Sequence, residues 1–312
     1  MKKIVSILAV AAMAASMFAV DVAATAKLKS DLFSYNADTG AMTVLGALAD
    51  DADPDLTFAV SGDKAGAGFK IKHGATVVPF AMNVWFKPTD SIKLSFNENG
   101  DNLFADHYNW WNAYSMAAIP AGYGIEYSAN GLTIKVNAAA DAVTKTSKNA
   151  DVAIGDVGTM VVYGADFGKV AVVADFNSNF KKITLGAGYT NTFNGVEVIA
   201  DADVVLNDGL QEVKFLGFVG GSAGDIAYAA VTNVKYTEAH TAVALKAKAS
   251  YNIDAVKATL KFESADLLAD TFDALIGVDF DGSVGAASWS VQPNYAIASK
   301  TFKVGFVTSL SF

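Results

Sequence analysis

Thr301-Phe302-Lys303-Val304-Gly305-Phe306-Val307-Thr308-Ser309-Leu310-Ser311-Phe312 closes the chain. Phe302, Val304, Phe306, Thr308, Leu310 and Phe312 alternate with Thr301, Lys303, Gly305, Val307, Ser309 and Ser311. A two-residue period puts every second side chain on one face of a strand, so the stretch predicts a strand with one apolar face. A strand standing between hydrocarbon and water reads this way. The other end of the chain agrees. Met1, Lys2 and Lys3 give a positive start, and Ile4 to Val20 is a short apolar run broken only by Ser6 and Ser16. That is the layout of a secretory signal peptide. Cleavage after Ala19, Ala24 or Ala26 is compatible with the small residues there, with Val22-Ala23-Ala24 and Ala24-Thr25-Ala26 the better matches.

The same alternation recurs along the chain. Ser91 to Asn97 places Ile92, Leu94 and Phe96 opposite Lys93 and Ser95. In Leu132 to Ala138, Leu132, Ile134 and Val136 oppose Thr133 and Lys135. Thr241 to Tyr251 sets Val243, Leu245, Ala247 and Ala249 against Lys246 and Lys248, and after a turn at Asn252-Ile253-Asp254 comes Ala255 to Glu263. There Val256, Ala258, Leu260 and Phe262 face Lys257, Thr259, Lys261 and Glu263. Gly-bearing turns such as Ser128-Ala129-Asn130-Gly131, Asp166-Phe167-Gly168, Asn207-Asp208-Gly209 and Asp281-Gly282 link neighbouring runs as hairpins do. Tyr127, Tyr189, Tyr236, Tyr251, Phe262, Phe280 and Tyr295 fall on the apolar phase close to strand ends, the placement of interfacial aromatic girdles. A chain that is 52% apolar, with 26 Gly and no later run of the ~18 apolar residues a spanning helix needs, fits many short strands.

The terminal residues Phe306, Leu310 and Phe312, with Val304, resemble the last strand of the bacterial outer-membrane β-barrel porins, which typically ends in Phe after alternating apolar residues. Thr308 departs from that pattern. The resemblance implies an all-β fold, a transmembrane antiparallel up-and-down β-barrel. Bacterial barrels take an even number of strands, and the count of alternating runs gives about 16, with 14 and 18 as alternatives. Residues 1–24 are then the signal peptide and residues 25–312 the barrel. The implied function is a passive diffusion channel for small hydrophilic solutes and ions in the bacterial outer membrane. Implied partners are the membrane's lipids and the barrel-assembly machinery, which would read Phe306, Leu310 and Phe312 as an assembly signal. Porins are often trimers, so a homotrimer follows by analogy alone.

Charge fixes what such a barrel would enclose. Facing hydrocarbon at mid-depth, a Lys costs ~2–4 kcal/mol, so the many lysines on the phase opposite the apolar one must meet water. Lys93, Lys135, Lys246, Lys248, Lys257, Lys261, Glu126 and Glu263 are therefore candidate pore-lining residues. Lys246, Lys248, Lys257 and Lys261 lie on two adjacent strands and predict one positive patch with Glu263 at its edge. Every basic residue is Lys, leaving no arginine for the cationic constriction cluster known in general diffusion porins. A formal charge of −9 argues against a nucleic-acid partner. The segment Glu98 to Gly122 breaks the alternation and carries His107, Tyr108, Trp110 and Trp111. By resemblance it could fold into the lumen as a constriction loop; as a plain loop it would be an extracellular tip or a plug against the wall. Ala138 to Gly158 breaks it again.

Other chemistry finds little support. His73, His107 and His240 stand in separate segments without metal-ligand spacing, and there is no Cys, so no metal centre or cofactor is expected. Asp106-His107 could serve half of a hydrolase dyad, which keeps a barrel enzyme as an alternative, beside a plugged structural or adhesive barrel. The acidic stretch Ala49 to Asp55 reads as a solvated loop, though Asp clusters can bind Ca²⁺. Gly186-Ala187-Gly188 lies inside a run and reads as easing a bend in the wall.

Overall fold

The structure, a computed structural model, describes residues 21–44, 55–72, 80–98, 100–104, 116–139, 143–144, 153–177 and 180–311. Among them there is no helix, and nineteen strands join one sheet. Eighteen of these form the wall. The first seven are β1 (Asp21–Asn36), β2 (Asp55–Ser61), β3 (Ala65–Lys72), β4 (Phe80–Thr89), β5 (Ile92–Glu98), β6 (Gly122–Ala129) and β7 (Leu132–Ala138). β8 (Val157–Ala165), β9 (Gly168–Asn177), β10 (Lys182–Phe193), β11 (Val196–Asn207), β12 (Leu210–Ala223) and β13 (Ile226–Tyr236) follow. The last five are β14 (Thr241–Ile253), β15 (Val256–Asp266), β16 (Asp273–Val284), β17 (Ala287–Ala296) and β18 (Thr301–Ser311). Each pairs antiparallel with its neighbour in sequence. The nineteenth, Met42–Val44, pairs with the same edge of β1 as β2 does, opposite Phe33–Tyr35.

β1 also pairs with β18, from Thr25 with Ser311 to Asn36 with Thr301. That contact closes the ring and leaves no open edge, the condition for a sheet to cross hydrocarbon. The seam is fastened at one rim, where the Asn36 side chain donates to the Ser299 carbonyl and to Thr301 Oγ1, and Lys300 Nζ sits 2.8 Å from Asp38 Oδ1. This hydrogen bond holds the Lys300 ammonium above its ordinary value.

The barrel class is as expected, and eighteen strands correct the count of sixteen to one of its alternatives. One rim carries the reason. Its connections are Asp90–Ser91, Asn130–Gly131, Asp166–Phe167, Asn194–Gly195, Gly224–Asp225, Asp254–Ala255 and Gly285–Ala286, two residues each, with Gly62–Lys64 slightly longer. Asn130 and Gly131 both have positive φ, 50° and 79°, the hairpin geometry that Asn-Gly adopts at low cost. Turns this short free enough chain for two further strands. The turn expected at Asn252-Ile253-Asp254 is one such case, since Asn252 and Ile253 still belong to β14. Apart from the two-residue Asp208–Gly209, connections on the other rim are longer, notably 99–121, 139–156 and 267–272. Within 139–156, Val143–Thr144 pairs with Ala153–Ile154 as a small separate ribbon.

The two faces of the wall differ as the alternation requires. Ile125, Val172, Phe215 and Leu260, all on the apolar phase, are 57%, 56%, 51% and 55% exposed on the outside. Tyr236 and Tyr251, near opposite ends of β13 and β14, lie exposed toward opposite rims. Residues 1–20 of the predicted signal peptide, most of the acidic stretch, His73 and Phe312 lie outside the described residues, as does the whole hydrolase dyad, whereas Asp21–Ala24 begin β1.

Candidate functional site

The interior of the ring is divided by the segment between β5 and β6. Its described ends, Asp101–Phe104 and Met116–Ala121, turn inward, and Asp101–Asn102 pairs with Ala118–Ile119 as a short ribbon. Leu103, Ala117 and Ile119 are almost wholly buried against Met160, Ala171 and Val173 of β8 and β9. Met116 packs against Ile199, Leu216, Phe218, Ala229 and Val231 of β11 to β13, with Phe104 between the two clusters. The described ends of this stretch lie inside the ring and flat on the wall, which the constriction loop and the plug both allow and an extracellular tip does not. His107, Tyr108, Trp110 and Trp111 lie outside the described residues.

Polar contacts fix the insert where apolar packing alone would let it slide. The Ala117 amide donates to Asp203 Oδ2 at 2.7 Å, and Asn137 Nδ2 donates to the Pro120 carbonyl at 3.0 Å. Lys135 Nζ pairs with Asp101 Oδ2 and stands 3.7 Å from Glu126 Oε2. Each gives a buried polar group the partner it needs away from water. Asp203 is itself 3.6 Å from Lys214, which reaches Glu212 at 3.0 Å; Lys235 reaches the other Glu212 oxygen at 2.7 Å.

The candidate pore residues occupy the inner face in two groups. Register aligns Lys93, Glu126 and Lys135 in one row across β5, β6 and β7. In that row Lys135 and Glu126 serve the insert's anchor, while the Lys93 ammonium lies 5.9 Å from the Trp85 ring centre, with Lys87 on the same ring at 5.7 Å. On β14 and β15, Lys246 faces Glu263 and Lys248 faces Lys261 across the pair. The expectation of a single positive patch needs correction here. Lys246 Nζ is 3.4 Å from Glu263 Oε2, and Lys261 Nζ is 2.7 Å from Asp279 Oδ1 of β16, a carboxylate that two-strand reasoning left out. Two of the four ammonium groups are thus locally balanced, and Lys257 lies exposed near the short-turn rim.

Of the assembly candidates, Phe306 pairs in register with Ser30 of β1 and Val291 of β17, and the Leu310 backbone with Ala26 and Ala287, so both positions lie on the closing seam. Among the described residues no group of His, Cys, Asp and Glu could hold a metal ion. His240 instead bonds Asp266 at 2.8 Å, from the connection before β14 to the end of β15 at the long-loop rim.

Sequence reasoning placed Asp203 on the inner face but missed its bond to the insert, and it missed Asp101 and Pro120, the insert groups held by the wall. Their signal was indirect, because each looks like an ordinary lumen or loop residue until the insert's path is known.

Cavities remain beside the insert, two of them toward opposite rims. One of about 390 Å³ opens toward the short-turn rim between Phe104, Lys135, Met160, Lys169 and Glu197. The other, about 460 Å³, lies on the long-loop side and is lined by Met116, Asp175, Lys182, Gln211 and Lys214. The insert's described ends therefore stand at mid-height along one flank, from β7 to β13, and the next stretch of wall, β14 to β16, carries charged side chains on its inner face.

No family's sequence model matches the chain, and no curated protein matches it in sequence. Solved structures do match. OpdQ of Pseudomonas aeruginosa is similar with a TM-score of 0.61 at 10% identity, over 94% of this chain and 98% of that one. The outer-membrane protein OpdK of the same organism gives 0.56 at 8% identity, over 94% and 98%. A mutant of the Rh. blastica porin gives 0.54 at 12% identity, over 94% and 100%. With a closed ring of antiparallel strands, an apolar exterior and a segment folded into the lumen, the chain has the fold of the bacterial outer-membrane porins.

Proposed function

We propose that this chain is a porin of the bacterial outer membrane, a passive diffusion channel for small hydrophilic solutes and ions that performs no catalysis. The observation that carries the reading is the contrast between the two faces of one closed wall. Apolar side chains such as Val172 and Leu260 stand exposed outside, while lysines and carboxylates stand inside beside open cavities. A ring of this width with a charged lining holds water. Short turns gather on the periplasmic side of bacterial barrels and long loops on the outer side, which orients the two-residue turns inward to the periplasm. Assembly by the barrel machinery, contact with outer-membrane lipids and association into trimers belong to the same reading.

Refolded protein in a planar bilayer is expected to give discrete current steps that grow with salt concentration. Absence of steps from inserted protein would favour the plugged surface barrel. No feature of the described residues favours the barrel enzyme, whose dyad lies outside them.

The leader belongs to this proposal too. Pairing of Asp21–Ala26 with Leu56–Ser61 favours removal after Ala19, because the other two sites would cut within the strand. Intact mass of the exported protein checks this, and a mature chain beginning at Thr25 or Lys27 would refute it.

A further inference from the structure

We propose that Gly158, Gly186 and Gly188 form a seat that sets the bore, a hollow in the inner wall whose depth fixes how far the insert stands into the passage. The inference deepens the porin reading and rests on it. The three glycines lie on the inner face of β8 and β10 and flank Ala171 and Val173, the apolar floor on which the insert packs. A Cβ added at Gly186 would lie 2.5 Å from Ala117 Cβ and 2.9 Å from Leu103 Cδ1. At Gly158 it would lie 2.7 Å from Pro120 Cδ and 2.9 Å from Ile119 Cα. At Gly188 it would meet Phe104 Cε2 at 2.6 Å and Asp201 Oδ1 at 2.0 Å. Carbon atoms in ordinary contact stand roughly 3.5–4.0 Å apart, so each added methyl demands a shift of about 1 Å or more.

Backbone conformation does not require glycine at these positions. None of the three has a φ in the left-handed region, so a larger residue could adopt the same extended backbone. Space is what excludes it. This replaces the reading of Gly186 and Gly188 as easing a bend in the wall. The contact they serve is dry, with Leu103 at 0% and Ala117 and Ile119 at 1% exposure; within it the Ala117 amide donates to Asp203 and the Leu103 amide to the Ala117 carbonyl. A dry, anchored contact cannot absorb a methyl by shedding water. The displaced body is the insert, joined at Gly188 by the Asp201 side chain, and the free direction is inward, away from β8 to β10 and into the interior of the ring. Gly158, Gly186 and Gly188 are therefore positioning residues: they touch the insert, and through it they limit the solute.

Gly186→Ala tests this, because its methyl meets Ala117 Cβ most closely, at 2.5 Å, while the next contact, Leu103 Cδ1 at 2.9 Å, is the end of a side chain that can turn away. Single-channel conductance of Gly186→Ala is expected to fall below wild type, and uptake of larger neutral sugars by liposomes to fall more than that of smaller ones. The double variant Gly186→Ala with Ala117→Gly is expected to regain wild-type conductance. An effect on barrel folding alone would not be rescued by trimming the insert. Unchanged conductance in Gly186→Ala, or a loss that Ala117→Gly does not recover, would overturn the proposal. Maleimide labelling of Asn102→Cys reads the insert without current: its rate should change in Gly186→Ala and return in the double variant. If wild type passes no current, the porin reading fails, and this labelling still decides the seat. Should Gly186→Ala not assemble, the labelling rate in Ala117→Gly alone serves, and one equal to wild type counts against the seat.

Discussion

Leu260→Lys and Val172→Lys are each expected to leave little folded, heat-modifiable barrel, whereas Lys257→Leu is expected to assemble close to wild-type yield. Leu260 and Val172 stand on the outer face near the middle of β15 and β9, more than half exposed. An ammonium there enters hydrocarbon at a cost of ~2–4 kcal/mol, a large fraction of the stability of an ordinary domain. Lys257 occupies the opposite phase of β15 and is exposed to the interior, so removing its charge leaves no buried partner behind. The measurement is the fraction of protein running as the unheated, compact form after refolding into detergent or lipid. Equal losses in all three would mean that the two faces have been assigned the wrong way round.

The outer and inner phases were legible in the sequence because a two-residue period is local. Leu132–Ala138 appears in the structure with the bounds its alternation gives, and Thr241–Tyr251 needs only two more residues at its end. Strand number was less legible, because it depends on where each alternating run is cut. Asp55–Ser61 and Ala65–Lys72 both alternate, yet only the three residues Gly62–Lys64 part them, and they enter the wall as two strands through pairing with β1 and β4. The interior was least legible. That Glu98 to Gly122 departs from the wall is visible in its lost alternation, but its seat lies on strands 40 to 100 residues away, at Met160, Gly186 and Asp203 among others. No local pattern encodes such a contact. What the sequence held was a residue type without a local reason: glycines on the inner phase of strands that no turn required. The charge balance shows the same limit. Lys261 and Lys246 were placed on the inner face from phase alone, yet whether each finds a carboxylate depends on the neighbouring strand, where Asp279 stands beside Lys261.

Changing Lys246, Lys248, Lys257 and Lys261 together to Glu is expected to leave the barrel folded and to turn the channel strongly toward cations. In the native wall Glu263 and Asp279 already offset Lys246 and Lys261, so the wild-type preference from this face is mild. The substitution does more than remove that positive charge. It sets four new carboxylates beside Glu263 and Asp279 on three adjacent strands, β14, β15 and β16, with no lysine among them. Rings or patches of one sign set ionic preference in a pore, and their reach in water is about one Debye length, ~10 Å at 0.1 M salt. The insert adds to the effect, since its described ends pack on β7 to β13 and not on this charged face. The reversal potential in a salt gradient should therefore shift toward the cation limit at 0.1 M salt. At 1 M, where screening shortens the reach to ~3 Å, the shift should shrink. A smaller shift of the same sign is expected from Lys248→Glu with Lys257→Glu alone, because the pairs made by Lys246 and Lys261 stay intact. A folded quadruple variant with unchanged ion preference at low salt would place these lysines off the conduction path and move that path to the other side of the insert.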